Sequence, residues 1–175
     1  CKAGTLPAVV FLTDQERVHT AEAIKSLPSR SIVILRDYGL LHRAHYVKTM
    51  VALSRKHGHT VLVAGDEPLA IAVRADGMHF PEKAWRKALY CKLRHPAWII
   101  SVAAHNRHSL QRLAKTIDFS VFSPIFPTES HPGAAPVGAL RYRMAARHTP
   151  FPVYPLGGVN AQSVRQLKSC FTPGI

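Results

Sequence analysis

The sequence predicts an α/β fold built on a parallel sheet, and three observations carry that prediction. Seven short runs are nearly continuous in apolar, β-favouring residues, the pattern of strands covered on both faces. Segments with helical spacing of apolar residues lie between them. The connections are short, and no linker or low-complexity stretch divides the 175 residues, so one domain over 1–175 is expected.

The predicted strands are 8–13, 31–37, 60–65, 77–80, 98–104, 119–125 and 151–157. Segment 42–57 places Val47, Met50, Val51 and Leu53 on one helical stripe. Segment 67–75 carries Leu69, Ala70, Ala72 and Val73. Segment 106–116 opens on Asn106, a favoured cap, and carries Leu110, Leu113 and Ala114. Segments 138–148 and 160–170 complete the helices, and Asn160 is again a cap residue. The Pro-rich stretch 124–136 joins a strand to a helix. Repeated strand and helix suggest a TIM (β/α)8-type barrel, which needs eight units. An open doubly wound sheet would show a Gly-rich loop after its first strand, but Thr13-Asp14-Gln15-Glu16 follows here.

After 160–170 only Phe171-Thr172-Pro173-Gly174-Ile175 remains, so the eighth βα unit is expected to be lacking. Open edges invite pairing. The natural product is therefore expected to be longer, or a partner chain or swapped segment to cover the gap, which makes a homo-oligomer one partner expectation. The chain starts with Cys rather than Met and shows no leader pattern, so it reads as processed, trimmed or a fragment.

Composition narrows the class. Hydrophobic residues are 47% and charged residues 19%, which excludes a disordered chain. No apolar run approaches the roughly 20 residues of a membrane-spanning helix. Cys1, Cys91 and Cys170 are widely spaced and form no CxxC pair, so free thiols in the cytoplasm are expected. Cys91 has no evident His–Asp partner and no catalytic role is assigned to it. Lys and Arg number 23 against 10 Asp and Glu, a net charge of +13. The basic residues are scattered over helical segments, so solvated faces explain most of them. Phosphorylated small molecules rank second as partners, and nucleic acid last.

In parallel α/β folds ligands bind at the C-terminal ends of strands. Arg36 ends an apolar run, where its guanidinium can hold a phosphate in two-pronged fashion or pair with Asp37 or Asp66. Asp66 can cap the next helix, the commoner role, or ligate Mg²⁺. Gly157-Gly158 precedes a helix, so its N–H groups can take an anion or simply form a tight turn. Thr128, Ser130 and His131, with Gly133, put hydroxyl and imidazole donors on one loop. His79 and His105 follow strands and read as structural histidines.

At these strand ends the chain resembles the thiamine phosphate synthase and TenI family, from Val9 to about Leu167. The matching pieces are Phe11-Leu12-Thr13-Asp14, Ile34-Leu35-Arg36-Asp37, Ala75-Asp76-Gly77-Met78-His79, Val102-Ala103-Ala104-His105, Ser123-Pro124-Ile125-Phe126-Pro127-Thr128-Glu129-Ser130-His131-Pro132-Gly133, and Pro152-Val153-Tyr154-Pro155-Leu156-Gly157-Gly158-Val159. The resemblance implies a TIM barrel. It also implies that hydroxymethylpyrimidine diphosphate loses pyrophosphate, assisted by Mg²⁺, and is trapped by a thiazole phosphate nitrogen. It places Arg36 on the diphosphate or pyrimidine and Asp66 on Mg²⁺. It matches Thr128 and Ser130 to a hydroxyl pair, and Gly157 and Gly158 to the thiazole-phosphate turn. Arg36, Asp66 and Ser130 are thus the catalytic candidates, with His131 beside them on the loop.

The chain also departs from the family pattern. Ile34, Tyr38, Gly65, Ala103 and His131 replace a Gln, a Lys, an Asn, a Ser and a Lys. The second metal carboxylate falls at Ala84, with Glu82 as the nearest acid. Pro124 stands where the TenI tautomerase has its His. The competing expectation is a TenI-like protein that binds thiazole or thiamine phosphate without synthase activity.

Overall fold

Each of the seven apolar runs forms a strand, and burial explains why their apolar residues do not alternate. All four residues of β2 (Ile32–Leu35) are buried, as are all four of β4 (Gly77–Phe80) and of β6 (Phe119–Phe122). A strand covered on both faces has no polar side to write into the sequence. The computed structural model describes residues 6–113, 117–128 and 135–167.

The chain divides into two units, Cys1–His79 with His95–Ile99, and Phe80–Arg94 with Ile100–Ile175. In the first, β1 (Val10–Leu12), β2, β3 (Thr60–Ala64) and β4 pair in parallel in chain order. The register sets Val10 against Ile32, Ile32 against Thr60, and Leu62 against Gly77. The crossovers are α1 (Thr20–Ser26), α2 (Arg43–Lys56) and α3 (Glu67–Ala72). Helix α2 buries Val47, Met50 and Val51 of the expected stripe, while Ser54 is buried in place of Leu53, which is half-buried. Helix α1 has no counterpart among the helices expected from sequence. Only Thr20 and Ile24 of it are buried, too few apolar positions for a periodic signal.

In the second unit, β5 (Ile99–Ala104), β6 and β7 (Val153–Pro155) pair in parallel in chain order. The helices are α4 (Trp85–Arg94), α5 (Arg107–Arg112) and α6 (Ala139–Ala146). Asn106 caps α5 as expected, its side chain accepting the Ser109 N–H at 2.9 Å. Asn160 accepts the N–H groups of Gln162 and Ser163, both at 2.9 Å. The turn that follows is 3₁₀ over Ser163–Leu167 rather than α-helical. The rest of the expected helix 160–170, and any eighth unit, lie outside the described residues. Cys91 is buried within α4. No helix among the described residues is long and apolar enough to cross a membrane.

One device closes the N-terminal ends of two strand pairs. Asp76 precedes β4; its N–H donates to Val61 O at 2.9 Å while its carboxylate accepts the Val61 N–H at 2.8 Å. Asp118 precedes β6 and does the same with Ile100, at 2.8 and 2.7 Å. Lys92 Nζ also reaches Asp118 at 2.8 Å. Ile100 is fully buried, so water cannot replace a lost carboxylate there. Asp118→Ala is therefore expected to cost about 2–3 kcal/mol, the range for a buried donor losing a charged acceptor. A urea unfolding midpoint measures it, and a loss under about 0.5 kcal/mol would count against this role.

Candidate active site

The C-terminal ends of β1 and β2 are tied together by a threonine. The Thr13 N–H donates to Ile34 O at 3.0 Å, and the Arg36 N–H donates to Thr13 Oγ1 at 2.9 Å. The Thr13 hydroxyl donates in turn to Asp37. The other Asp37 oxygen accepts the Gln15 N–H at 2.9 Å. These bonds fix the backbone of Arg36 beside an open cavity of about 440 Å³ lined by Asp14, Arg36, Asp37 and Tyr38 among others. The Arg36 side chain reaches Asp14 Oδ2 at 3.4 Å and keeps 35% of its surface exposed. Of the two expected outcomes for Arg36, the ion pair forms, but with Asp14 rather than with Asp37 or Asp66. A loose, solvated pair of this kind contributes little, so the guanidinium remains able to take an anion.

Asp66 is engaged on both oxygens. One accepts the Leu69 N–H at 3.0 Å and caps α3, the commoner of the two roles expected for it. The other accepts from Arg43 Nη1 at 3.1 Å. Arg43 Nε donates to Asp37 O at 3.0 Å and Nη2 to Ala64 O at 2.8 Å. Its guanidinium also lies 5.4 Å from the ring centroid of Tyr38, a cation–π contact. Gly65, at φ +69°, packs against the same tyrosine: a Cβ there would lie 3.1 Å from Tyr38 Cε1.

In the second unit Glu82 is engaged as well. Its carboxylate accepts the His105 N–H at 2.9 Å and the Ser109 hydroxyl. His105 Nδ1 lies 2.9 Å from Ser123 O, which orients the ring. Glu82, His105 and Ser109 border a cavity of about 660 Å³ that Lys83, Trp85, Asn106 and Arg112 also line. No group of three or more His, Cys, Asp or Glu among the described residues is arranged to hold a metal. Asp66 and Glu82, the residues expected to take Mg²⁺, each have both carboxylate oxygens accepting from protein donors, so a hard cation would have to compete with those donors for them.

Gly157 and Gly158 both take positive φ, +88° and +65°. A Cβ on Gly158 would lie 2.5 Å from Pro127 O and 2.7 Å from Phe126 Cβ. The tight-turn expectation thus accounts for both glycines, whose turn abuts the segment leading to Thr128. Among the described residues no acceptor takes either N–H, which leaves them able to bind an anion. Thr128 is half-buried. Ser130 and His131 lie outside the described residues.

A family model described as thiamine monophosphate synthase matches residues 9–175. The chain belongs to that family. A thiamine-phosphate synthase from Chlorobium phaeovibrioides is 28% identical over 97% of this chain and 83% of its own. A relative from Aquifex aeolicus, provisionally named thiamine-phosphate synthase 2, is 30% identical over 97% of this chain and 92% of its own. The solved thiamine phosphate pyrophosphorylase from Pyrococcus furiosus superposes with a TM-score of 0.74 at 19% identity, covering 93% of this chain and 80% of that one. A solved aldolase gives a TM-score of 0.57 at 12% identity, over 95% of this chain. The α/β barrel class expected from the strand and helix order is the class of these structures.

In this thiamine monophosphate synthase family member, the sequence offers Arg43 only as a solvated basic residue, with no site role. It sits among the many basic residues of helical segments, but one signal marks it. A cation in the first turn of a helix opposes the macrodipole, and α2 has no acid there to offset it. His79, read as structural, lies inside β4 and is 3% exposed. Burial, and secondarily the charge of Arg36, pushes its pKa down to about 3. A depressed histidine contributes stability that is complete above its ordinary value, near 6.5, and is lost as pH falls from there toward about 3. Stability is expected to fall by up to about 1.4 kcal/mol per pH unit in that window from this group. His79→Gln should flatten the slope of denaturant midpoint against pH; an unchanged slope would contradict the assignment.

Proposed function

We propose that this chain joins a hydroxymethylpyrimidine diphosphate to a thiazole phosphate with release of pyrophosphate, acting as a single synthase-type domain. The observation that carries the reading is the family match over residues 9–175, together with relatives named for that synthesis at about full length. The bond between the pyrimidine methylene carbon and the diphosphate oxygen breaks, and its electron pair leaves with pyrophosphate. The thiazole nitrogen lone pair then forms the new C–N bond.

Such a reaction asks the protein mainly for anion binding and for stabilisation of a departing diphosphate. Arg36 supplies a guanidinium on a backbone fixed by Thr13. Gly157 and Gly158 supply N–H groups for the thiazole phosphate, and Thr128, Ser130 and His131 supply the donors that the family pattern gives to their stretch of the sequence. Mg²⁺ has no role at Asp66 or Glu82 in this proposal. The setting proposed for this synthesis is the cytoplasm. The test is a pyrophosphate-release assay on the purified chain, with thiamine phosphate measured in parallel. Equal amounts of both products, dependent on both substrates, are expected. No product above the enzyme-free background would overturn the proposal.

A further inference from the structure

We propose that Arg43 is the resident cation of the strand-end site in the first unit, so that Asp66 does not ligate a divalent cation in this chain. The resemblance gives Asp66 to Mg²⁺, but three features place the guanidinium there instead. First, both oxygens of the carboxylate already hold protein donors. One oxygen holds the start of α3 through Leu69, and the other holds Arg43 at 3.1 Å.

Second, Arg43 is fastened in place. Its side chain is only 13% exposed, and its Nε, Nη1 and Nη2 each reach a different acceptor, on Asp37, Asp66 and Ala64. A guanidinium taken this far out of water is costly to displace, because its departure would leave two backbone carbonyls and a carboxylate without their donor. A divalent ion added beside it would face a like charge at short range.

Third, the neighbours that would complete a metal shell are committed or apolar. Gly65 precedes Asp66 and packs on Tyr38. Glu67, which follows it, is paired with His95 at 2.9 Å. The positive charge that a phosphorylated ligand needs is thus already present as Arg43, with the more exposed Arg36 on the same pair of strand ends. Arg43 is held through Nε, Nη1 and Nη2, so it acts on the field of the site and on the position of Asp66, as a positioning residue.

The inference concerns the same site as the proposed synthesis, but its test needs no turnover. Mn²⁺ alone, followed by loss of the free-ion EPR signal, reports binding directly. The wild type and Asp66→Asn, which keeps the cap acceptor, are expected to bind Mn²⁺ equally weakly, within about twofold. Arg43→Gln frees one Asp66 oxygen and is expected to bind at least about tenfold more tightly than the wild type, a gain that Arg43→Gln with Asp66→Asn abolishes. Wild-type binding that Asp66→Asn weakens about tenfold would overturn the inference. An Arg43→Gln protein that gains nothing would overturn it as well. The comparison of wild type with Asp66→Asn decides the matter by itself if Arg43→Gln does not fold. Synthase turnover together with Mn²⁺ binding that depends on Asp66 would sink this inference and keep the function. The expected Mn²⁺ pattern without turnover would do the reverse.

Discussion

Gly77→Ala is expected to cost at least about 3 kcal/mol of folding stability, and to leave little soluble protein if the fold is only marginally stable. The added methyl would fall inside the carbonyl oxygen of Ile99 and 2.7 Å from its carbonyl carbon and nitrogen. These are backbone atoms, so no rotamer change relieves the overlap. The backbone around them is also fixed. The Ile99 N–H donates to Asp76 O at 3.0 Å, and Gly77 is in register with Leu62 of β3. Moving either strand to admit a methyl would strain the ladder beside it. Gly39 is the control: a Cβ there meets nothing within 4 Å. Gly39→Ala is expected to change stability by no more than about 0.5 kcal/mol in the destabilising direction. Paired urea titrations measure the contrast. Equal midpoints for the two variants would show that the β4 edge yields freely.

That steric demand was only half legible beforehand. A glycine inside a strand signals close approach of another backbone, but it does not say which backbone. The strands themselves were legible because β2, β3, β4 and β6 are covered on both faces, and so had to be written almost wholly in apolar residues. Helix α1 was not, because it buries only two side chains, and a helix held by so few carries no stripe. The site followed the same logic. The parallel order carries Thr13 and Asp14 from the end of β1 to the end of β2, so Arg36 meets an acid 22 residues away rather than its chain neighbour Asp37. Asp37 was already taken by Thr13 and Gln15. Local sequence suggests local partners, whereas sheet order decides among competitors. Arg43 shows the limit most clearly. Its helix reads as an ordinary basic amphipath, and only the cation at the wrong end of the dipole hints that something beyond the helix holds it.

Arg36→Ala is expected to lower turnover in the proposed synthesis by about 10²–10³ while leaving stability nearly unchanged. The two halves of this expectation have separate causes. Stability hardly changes because the side chain is one-third exposed and its pair with Asp14, at 3.4 Å, is loose. The backbone bond that organises the strand end, from Arg36 N–H to Thr13 Oγ1, survives any substitution that keeps the N–H. Turnover falls because Arg36 is the guanidinium of this strand end with donors still to give. Arg43 is held by Asp37, Asp66 and Ala64 and is only 13% exposed. A diphosphate leaving group gathers charge as its bond to carbon breaks, so a donor fixed before the reaction stabilises the transition state more than the substrate. Arg36→Lys keeps the charge and loses the planar fork, and should fall between the two. A second readout separates this electrostatic role from a packing role. Arg36 also helps to depress His79, so its removal raises the His79 pKa, which makes the acid loss of stability smaller and ends it at a higher pH. An Arg36→Ala protein whose turnover stays within about threefold of the wild type would remove Arg36 from the anion site. A shift of the acid transition in that same protein would show that the guanidinium acts on the histidine alone.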